Sequence, residues 1–485
     1  MSRTIPQLRR TKIVATLGPA TDDPTTLENL LLAGVNVVRI NFSHGDPDEH
    51  RRRVEMVREI SKRHRLFVAV LGDLQGPKIR IARFADKKIV VNEGDSFTLD
   101  AGLDKQAGHQ TAVGLDYEDL PKDCKPGDVL MLDDGRIQMQ VERIEGNKVH
   151  TIVTVGGELS NNKGINLQGG GLSAPALTDK DLRDIKTAAA LDVDYLAVSF
   201  PRSGADIARA RQLLLEAGGD AGIVAKIERA ETVASPEALD DMISASDAVM
   251  VARGDLGVEI GDAGLVGVQK RIIKRARQLN KVVITATQMM ESMINSQLPT
   301  RAEVFDVANA VLDGTDAVML SGETAAGKYP VQTVKAMVRV ILGAEAQREI
   351  QRSRHRMDQE YDHIDEAIAL SVMYSANHLK GVKAIIALTE SGHTPRVMSR
   401  ISSGLPIFAL SPSVKAQRKM MLYRGVQSVP FDARGMSLDE LTEKSVQALK
   451  DGGFVAKDDV VILSRGNQLG VLGGTDTMQI VRVAD

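Results

Sequence analysis

Two stretches, GIVAKIERAE (222–231) and AVMVARGDLG (248–257), carry the pattern that decides the fold. Each is a short apolar run that turns charged at its C-terminal end, as buried parallel strands do where they leave a sheet. Side chains alternate along a strand, so Lys226 and Glu228 are expected on one face. Together with Asp255 they place an ammonium beside a carboxylate pair suited to a hard divalent cation. This pattern predicts a site for a negatively charged substrate.

The same pattern recurs along the chain, and counting it indicates the architecture. Amphipathic helical segments lie between most of the runs. Eight βα units with nearly continuous apolar strands indicate an α/β fold of the (β/α)8 TIM-barrel type rather than an open sheet. The predicted strands cover 11–18, 35–43, 66–73, 195–200, 222–228, 248–255, 281–287 and 317–323. The predicted helices between them include 46–64, 178–191, 204–217 and 263–279.

One interval, between the third and fourth strands, breaks this alternation. Residues 75–171 read as short alternating strands joined by Gly, Asp and Asn turns. We expect a small β-barrel domain inserted into a βα loop, with hinges near 74–85 and 171–176. Because the loops that follow barrel strands surround the mouth of the barrel, such an insert is placed to act as a lid.

A third region begins near residue 344. The charge-rich segment 347–364 leads into a predicted helix at about 365–379, and new strand–helix alternation follows it. We therefore expect a separate C-terminal α/β domain. The predicted domains are the catalytic barrel (1–74 and 172–343), the lid (75–171) and the C-terminal domain (344–485).

Composition limits the possible partners. The 485 residues include 61 Lys and Arg against 64 Asp and Glu, a formal net charge of −3, so bulk electrostatics favour neither nucleic acid nor an anionic membrane. No segment approaches the ~18 apolar residues of a membrane span. The single cysteine, Cys124, excludes an intrachain disulfide framework and fits a reducing cytosol. We expect a cytoplasmic protein.

Basic and polar residues gather where the predicted strands end. Arg39, Asn41 and Ser43 alternate along the second strand and share one side of it. Arg39, Arg80, Lys226 and a metal supply more positive charge than one carboxylate requires, so a phosphorylated and carboxylated small molecule is the expected substrate. The GDLG turn at 254–257 offers closely spaced backbone N–H groups for an anion.

A family resemblance rests on eight strings that occur in this order: TKIVATLGPA, RINFSHG, GDLQGPKIR, AKIER, MVARGDLG, ITATQMMESM, PTRAEVFDVANAV and MLSGETAAGKYP. From about residue 11 to the C-terminus the chain resembles pyruvate kinase, in particular bacterial members that lack a long fructose-bisphosphate loop. The resemblance implies a barrel with an inserted lid, a regulatory C-terminal domain and a homotetramer. It also implies Mg2+-dependent (or Mn2+-dependent) phosphoryl transfer from phosphoenolpyruvate to ADP, the final step of glycolysis, which gives pyruvate and ATP.

The resemblance also implies roles for individual residues. Glu228 and Asp255 would bind the metal ion, while Lys226 and Arg39 would hold the transferring phosphoryl group. The backbone at Gly254 and Asp255 and the hydroxyl of Thr287 would hold the substrate carboxylate. Thr287 would also polarise the water that protonates C3 of the enolate. The positions implied to serve the nucleotide and its phosphates are Arg80, His44, Lys180 and Pro19.

Position 78 departs from many family members, which carry Glu there and require potassium. In those members the ion is ligated at the positions that correspond to Asn41, Ser43, Asp73 and the carbonyl of Leu74. Lys78 can supply a fixed positive charge to the same pocket, so the resemblance implies that potassium is not required.

The segment TESGHT (389–394) follows an apolar strand, so its hydroxyl and N–H groups can form a phosphate-binding turn at a helix N-terminus. It resembles the sugar-phosphate loop of the family, and the implied effector residues are Thr389, Ser391, Gly392 and Thr394. The loop SRGNQLGVLGGTDT (464–477) has one basic residue. This favours a sugar monophosphate or AMP over a bisphosphate as the phosphorylated effector.

Two other functions remain as alternatives. A Mg2+-dependent aldolase or lyase acting on an enolpyruvate would share the carboxylate pair, but it would not need a lid or the GDLQGPKIR segment over a nucleotide. A non-enzymatic sugar-phosphate sensor on an inactive barrel could lose Lys226, Glu228 or Asp255, and all three are present.

Overall fold

The computed structural model describes residues 8–347, 350–351, 360–467 and 474–484. Its largest unit is a closed barrel of eight parallel strands, each hydrogen bonded to the next one along the chain. All eight predicted barrel strands are confirmed. They are β1 (Lys12–Thr16), β2 (Val37–Asn41), β3 (Ala69–Asp73), β12 (Tyr195–Val198), β13 (Gly222–Ile227), β14 (Ala248–Ala252), β15 (Val282–Ala286) and β16 (Ala317–Leu320), with β4–β11 in the insert.

Helices cover the outside of the barrel, and several of them begin at a side-chain cap. The side chain of Thr178 accepts from Asp181 N, and the Thr300 side chain accepts from Glu303 N, so each cap satisfies a backbone N–H of the first turn. The helices are α1 (Pro24–Leu32), α2 (Pro47–Arg63), α4 (Asp179–Ala190), α5 (Gly204–Glu216), α6 (Pro236–Ala245), α7 (Arg253–Ile260), α8 (Asp262–Gln278), α9 (Arg301–Asp313), α10 (Gly322–Ala325) and α11 (Pro330–Glu345).

The insert is a β domain with its own apolar core. A six-stranded sheet has the order β11-β7-β8-β9-β5-β6, and β10 pairs with β4 in a separate two-stranded sheet. Its elements are β4 (Lys88–Val91), β5 (Ser96–Asp100), β6 (Ala112–Gly114), α3 (Leu120–Asp123), β7 (Val129–Leu132), β8 (Ile137–Glu145), β9 (Lys148–Val155), β10 (Gly157–Ser160) and β11 (Ile165–Leu167).

The hydrogen bonding of the insert divides it into two ladders. Its two ladders stay separate because the entering segment forms isolated bridges, Arg80 with Gly164 and Ile81 with Leu115, instead of a continuous strand. The buried side chains of both sheets still share one cluster, so the insert packs as a single domain.

The C-terminal domain carries a five-stranded sheet in the order β19-β18-β17-β20-β21, in which only β21 is antiparallel to its neighbour. The predicted first helix and the strand–helix alternation after it are confirmed. The elements are α12 (Ile364–His378), β17 (Val382–Leu388), α13 (His393–Ser399), β18 (Ile407–Ser411), α14 (Val414–Met420), β19 (Val426–Pro430), α15 (Leu438–Asp451), β20 (Val460–Gly466) and β21 (Thr475–Arg482). Parts of the predicted polar segment (347–364) and glycine-rich loop (464–477) lie outside the described residues.

The C-terminal domain packs against the end of the barrel where the strands begin. Asp316, just before β16, accepts from Arg400 Nη1 at 2.8 Å and from the backbone N–H of Arg424 at 3.0 Å. Lys12, at the start of β1, donates to Val426 O at 2.6 Å. The opposite end, where the strands finish, therefore stays available to the inserted domain. Within the described ranges, no helix is both long and apolar enough to cross a bilayer.

Candidate active site

Lys226 lies at the centre of a buried charge network at the C-terminal end of the barrel strands. Its Nζ is 2.9 Å from Glu228 Oε1 and 3.4 Å from Asp73 Oδ1. It also donates a 2.7 Å hydrogen bond to Ser199 Oγ. Because β13 is extended, Lys226 and Glu228 reach the same side of it, as the alternation of the sequence predicts.

Arg39 extends this network across the neighbouring strands. Its Nε donates to Asp73 Oδ2 at 2.6 Å, and its Nη1 donates to Thr16 Oγ1 at 3.1 Å. Asp73 is only 1% exposed, so two cations share one buried carboxylate. Lys226 and Arg39, the two cations that the family resemblance assigns to the substrate phosphoryl group, are thus held next to each other by Asp73.

The pKa shifts of Asp73 and Lys226 favour their charged forms. Burial alone would raise the pKa of Asp73, but Lys226 and Arg39 lower it below its ordinary value. Burial alone would lower the pKa of Lys226, but Asp73 and Glu228 raise it. The site therefore holds an ammonium and a guanidinium beside each other at neutral pH, and the two cations share the carboxylate of Asp73.

The carboxylate pair meets the chemical requirement for a hard cation. Burial, together with the charge of Asp255, raises the pKa of Glu228, and Lys226 and a 2.7 Å hydrogen bond from Phe200 N oppose this shift. A divalent cation between the two carboxylates would relieve their repulsion. The described chain forms no cluster of three or more His, Cys, Asp or Glu ligands. Two carboxylates plus substrate and water oxygens are the ligand set that Mg2+ commonly takes.

Thr287 is held in a conformation that β-branched residues rarely adopt. Its φ is +69°, and its hydroxyl accepts from Gly254 N at 2.8 Å. The guanidinium of Arg253 donates to Thr287 O at 2.6 Å and is itself bound by both carboxylate oxygens of Asp306. This brace keeps the hydroxyl beside the start of α7, where Asp255 lies, and the strain is the kind found at functional sites.

The Lys78 ammonium lies between the carboxylate pair and a turn of the inserted domain. Its Nζ is 3.3 Å from Asp255 Oδ1 and 3.7 Å from Asp134 Oδ1, where Asp134 belongs to that turn. Asp73, from the same predicted pocket, is paired with Arg39 and Lys226. Lys78 therefore joins the lid to the carboxylate pair. Asp255 and Asp134 raise the pKa of Lys78 against the effect of burial.

The remaining residues of the predicted cation pocket bond to each other or to the network. Asn41 Oδ1 accepts from Ser43 N at 3.1 Å. The carbonyl of Leu74 accepts from Ser199 Oγ at 2.7 Å, so Ser199 links this carbonyl to Lys226. The pocket is therefore contiguous with the charge network.

The residues assigned to the nucleotide lie outside the buried network. Arg80 donates to Asn162 O at 3.0 Å within the inserted domain. Lys180 Nζ donates to Phe42 O and to Asp184 Oδ2, both at 2.5 Å. His44 and Pro19 are exposed. The bond to Phe42 O places Lys180 beside the segment that carries His44.

The predicted effector residues form a compact turn before α13. The Thr389 hydroxyl accepts from Gly392 N at 2.9 Å, and Ser391 Oγ accepts from His393 N at 3.4 Å. Gly392 has a φ of +84°, which glycine adopts without strain. Thr394 shares a 2.7 Å hydroxyl contact with Thr475 on β21.

Sequence reasoning missed two groups that hold the site. Asp134, the lid partner of Lys78, sits in a DDG turn whose only sequence signal is turn formation. Asp306, which braces Arg253, is one acidic residue among many on α9. Neither role shows in periodicity or spacing, because both depend on contacts between elements distant in sequence.

A third missed residue, Glu259, lies at the root of the lid. It is 4% exposed, its carboxylate accepts from Ala230 N at 2.7 Å, and its carbonyl accepts from Gly169 N at 2.9 Å. Burial raises the pKa of Glu259 to about 7, and the charge of Glu231 adds to this, whereas Arg229 and the amide of Asn166 oppose it. Glu259 thus joins α7 to the returning hinge.

The fold and the site define a (β/α)8 enzyme with an inserted domain over the mouth of its barrel. Comparison with known proteins makes the class specific. Residues 8–334 match the family model described as pyruvate kinase, barrel domain, and residues 366–481 match that described as pyruvate kinase, alpha/beta domain. The chain belongs to the pyruvate kinase family and is a phosphotransferase.

Several curated relatives match over nearly their whole length. The chain is 59% identical to "Pyruvate kinase II" of Salmonella typhimurium over 98% of this chain and 99% of the relative. It is 60% identical to "Pyruvate kinase" of Haemophilus influenzae over 97% of this chain and 98% of the relative. The more distant "Pyruvate kinase" of Sporosarcina psychrophila is 40% identical over 99% of this chain and 81% of the relative.

Glu259→Gln should remove a pH-dependent loss of stability. The contribution of a carboxyl group with a raised pKa is fully present below its ordinary value of 4.5 and is lost as pH rises to about 7. The difference between these two pKa values corresponds to a change of at most about 3 kcal/mol in the free energy of unfolding. In thermal unfolding from pH 5 to pH 8, the Tm of Glu259→Gln should therefore rise relative to the Tm of wild type as the pH increases. The exposed lid variant Glu93→Gln should track wild type, and a pH-independent difference for Glu259→Gln would contradict the assignment.

Proposed function

We propose that the chain transfers the phosphoryl group of phosphoenolpyruvate to ADP, giving pyruvate and ATP as the final step of glycolysis. The observation that carries this proposal is the network in which Lys226 and Arg39 share the buried Asp73 beside Glu228. A site with two fixed cations next to a carboxylate pair fits a substrate that carries both a phosphate and a carboxylate. The substrates of the family agree with this chemistry.

Lys226 and Arg39 would act on the transferring group. Phosphoryl transfer spreads negative charge over the phosphoryl oxygens and the leaving oxygen, so catalysis depends on positioned charge. The Lys226 ammonium, held by Ser199 and Glu228, would face the phosphoryl group and the enolate oxygen that forms as the P–O bond breaks. Arg39 would bind the phosphoryl oxygens from the side of β2. Both cations are preorganised, so little reorganisation is needed in the transition state.

Thr287 and the start of α7 would hold the other end of the substrate. Gly254 and Asp255 begin α7, where a carboxylate is favoured, and the substrate would take over the Gly254 N–H that donates to the Thr287 hydroxyl in this structure. The Thr287 hydroxyl, fixed by the Arg253 brace, would orient the water that gives a proton to C3 of the enolate. Pyruvate forms when C3 of the enolate takes this proton.

Glu228 and Asp255 would hold Mg2+ or Mn2+, which when bound supplies positive charge and orients the phosphoryl and carboxylate oxygens. The two alternatives are less well supported by the site. In this structure Lys78 contacts both Asp134 of the lid and Asp255 of the carboxylate pair. A lyase that acts on an enolpyruvate has no use for such a contact between the lid and the site. An inactive sensor has no need to bury Lys226 and Asp73 together at a desolvation cost.

Glu228→Gln should lower kcat/KM by about 100-fold or more, which corresponds to at least ~2.7 kcal/mol of transition-state stabilisation. Glutamine keeps the size of the side chain and its acceptance from Phe200 N but removes one negative metal ligand. Mn2+ binding, followed by electron paramagnetic resonance, should weaken in parallel. Glu231→Gln, a nearby carboxylate paired with Arg229, is the matched control. Unchanged Mn2+ affinity in Glu228→Gln would exclude this residue as a ligand.

We further propose that potassium is not required because Lys78 supplies the fixed positive charge near the site. Wild-type turnover should be equal in potassium and in a tetraalkylammonium salt at one ionic strength. Lys78→Glu should lower turnover and make the residual activity rise several-fold with potassium. Lys163→Glu makes the same charge change at a lysine that pairs with Asp133 in the same lid turn, 2.7 Å away, and should gain no potassium dependence. Wild-type activity that appears only with potassium would contradict the proposal.

The turn before α13 is proposed to bind a phosphorylated effector, a sugar monophosphate or AMP, that activates the enzyme. The hydroxyl groups of Thr389 and Ser391 support this, since both lie at the start of the helix. The double variant Thr389→Ala, Ser391→Ala should lose activation while keeping basal turnover. Thr442→Ala on α15 is the control. Activation that persists in the double variant would refute this location.

A cytoplasmic homotetramer is the proposed assembly, and apolar surface on the chain supports it. Phe305 on α9 is 75% exposed, and Leu298, in the segment that precedes α9, is 69% exposed. Ile480 on the edge strand β21 is 50% exposed. Exposed apolar groups of this size are typical of surfaces that other subunits cover. A monomer in sedimentation equilibrium would contradict this assembly.

A further inference from the structure

A buried charge cluster lies where the C-terminal domain meets the barrel, at the end opposite the active site. Its members are three arginines and two carboxylates, all less than 9% exposed: Arg10, Arg400, Arg424, Asp316 and Glu345. These five side chains carry a formal charge of +1, and the buried Lys12, which interacts with Glu345 and Asp316, adds a further basic group whose pKa burial lowers to about 7. Buried charges are stable only when they are balanced and hydrogen bonded.

The two carboxylates are used by other members of the cluster. Both oxygens of Asp316 accept from the guanidinium of Arg400. Glu345 accepts from the backbone N–H groups of Arg10 and Thr11 at 2.9 and 2.6 Å and lies 3.6 Å from the Arg10 guanidinium. Each carboxylate therefore already serves one arginine side chain.

The third arginine, Arg424, is left without a counterion of its own. It is 6% exposed, and its backbone N–H donates to Asp316. Its Nε and Nη2 atoms are buried and have no hydrogen-bond partner within the described protein. Burial lowers the pKa of Arg424 to about 10, so the group is still charged at neutral pH. Leaving two buried guanidinium donors unpaired costs several kcal/mol in order of magnitude.

A small cavity adjoins this guanidinium. Its lining is basic and hydroxylic on one side and apolar on the other, and the lining residues used here are Arg10, Arg424, Ser399, Ser402, Ser403 and Met373. The cavity volume is about 20 Å³, enough for one particle the size of a water molecule. The Ser402 and Ser403 hydroxyls each accept one hydrogen bond, from Arg277 and Leu405 N, and each keeps its hydrogen to donate.

We propose that this cavity binds a small monovalent anion of chloride size between Arg424 and the serine hydroxyls. The small cavity favours a small ion over phosphate or a sugar phosphate, so the site differs in chemistry from the turn at 389–394. An anion offsets the excess positive charge of the cluster, which a water molecule leaves unbalanced. It also gives the Arg424 donors an acceptor.

The anion would act on the domain interface rather than on catalysis. Arg424 and Ser402 belong to the C-terminal domain, whereas Arg10 and Glu345 belong to the barrel side. Neutralising the cluster would stabilise the contact between the two domains. Because the active site lies at the other end of the barrel, turnover at saturating substrate should change little with the anion.

The first experiment is thermal unfolding of the full-length protein at constant ionic strength while gluconate is replaced by chloride. Chloride should raise the Tm of wild type saturably by about 2 °C or more. Arg424→Met keeps the length of the side chain but removes its charge and donors, and it should abolish the dependence. Arg434→Met, an exposed arginine of the same domain paired with Asp432, should respond as wild type does.

The second experiment does not depend on any variant folding. Wild-type crystals grown without halide and soaked in bromide should show an anomalous peak next to Arg424, between it and the serine hydroxyls. A solvent peak there with no bromide signal would mean that water fills the cavity and would overturn the proposal. A chloride effect of the same size in Arg424→Met and wild type would overturn it as well.

Discussion

The ion pairing of Lys226 with Asp73 and Glu228 is the interaction on which the rest of the site depends. An ammonium that is 12% exposed is stable there only because two carboxylates lie within 3.4 Å of it. Those carboxylates are in turn fixed by Arg39 and by the N–H of Phe200. Strands β2, β3 and β13 must therefore keep their register for the site to exist, and the closed barrel imposes that register.

The two ends of the barrel serve different purposes. The ends of the strands bury an arrangement of charge that a substrate can complete, and the inserted domain reaches this arrangement through Lys78 and Asp134. The beginnings of the strands bury a second arrangement, centred on Asp316 and Glu345, that joins the C-terminal domain. Both are networks of arginine or lysine with carboxylate, but only the first opens to the lid.

The fold was predictable because its signal is local and repeated. Eight apolar runs that end in charge indicate a barrel whatever their partners are, and all eight strands form as predicted. The pair Lys226 and Glu228 was predictable for the same reason, since alternation along one strand places both on one face. The partners of Lys78 were not. Lysine at position 78 has a long side chain that could reach the predicted pocket, but Asp73 is already neutralised there and Asp134 approaches from a turn far away in sequence. The hydrogen bonding of the insert escaped prediction too, because turn residues mark the ends of strands without showing which ladders close.

The most direct test of the central claim is the initial rate of pyruvate formation by the wild-type protein from phosphoenolpyruvate, with ADP and Mg2+ supplied or omitted one at a time. The account predicts pyruvate and ATP in equal amounts, with turnover lost when either ADP or the divalent cation is left out. Pyruvate release that is independent of ADP would contradict it and favour lyase or hydrolytic chemistry on the same barrel. No turnover under any of these conditions, with sugar monophosphates and AMP also added, would mean that the buried network does not support phosphoryl transfer.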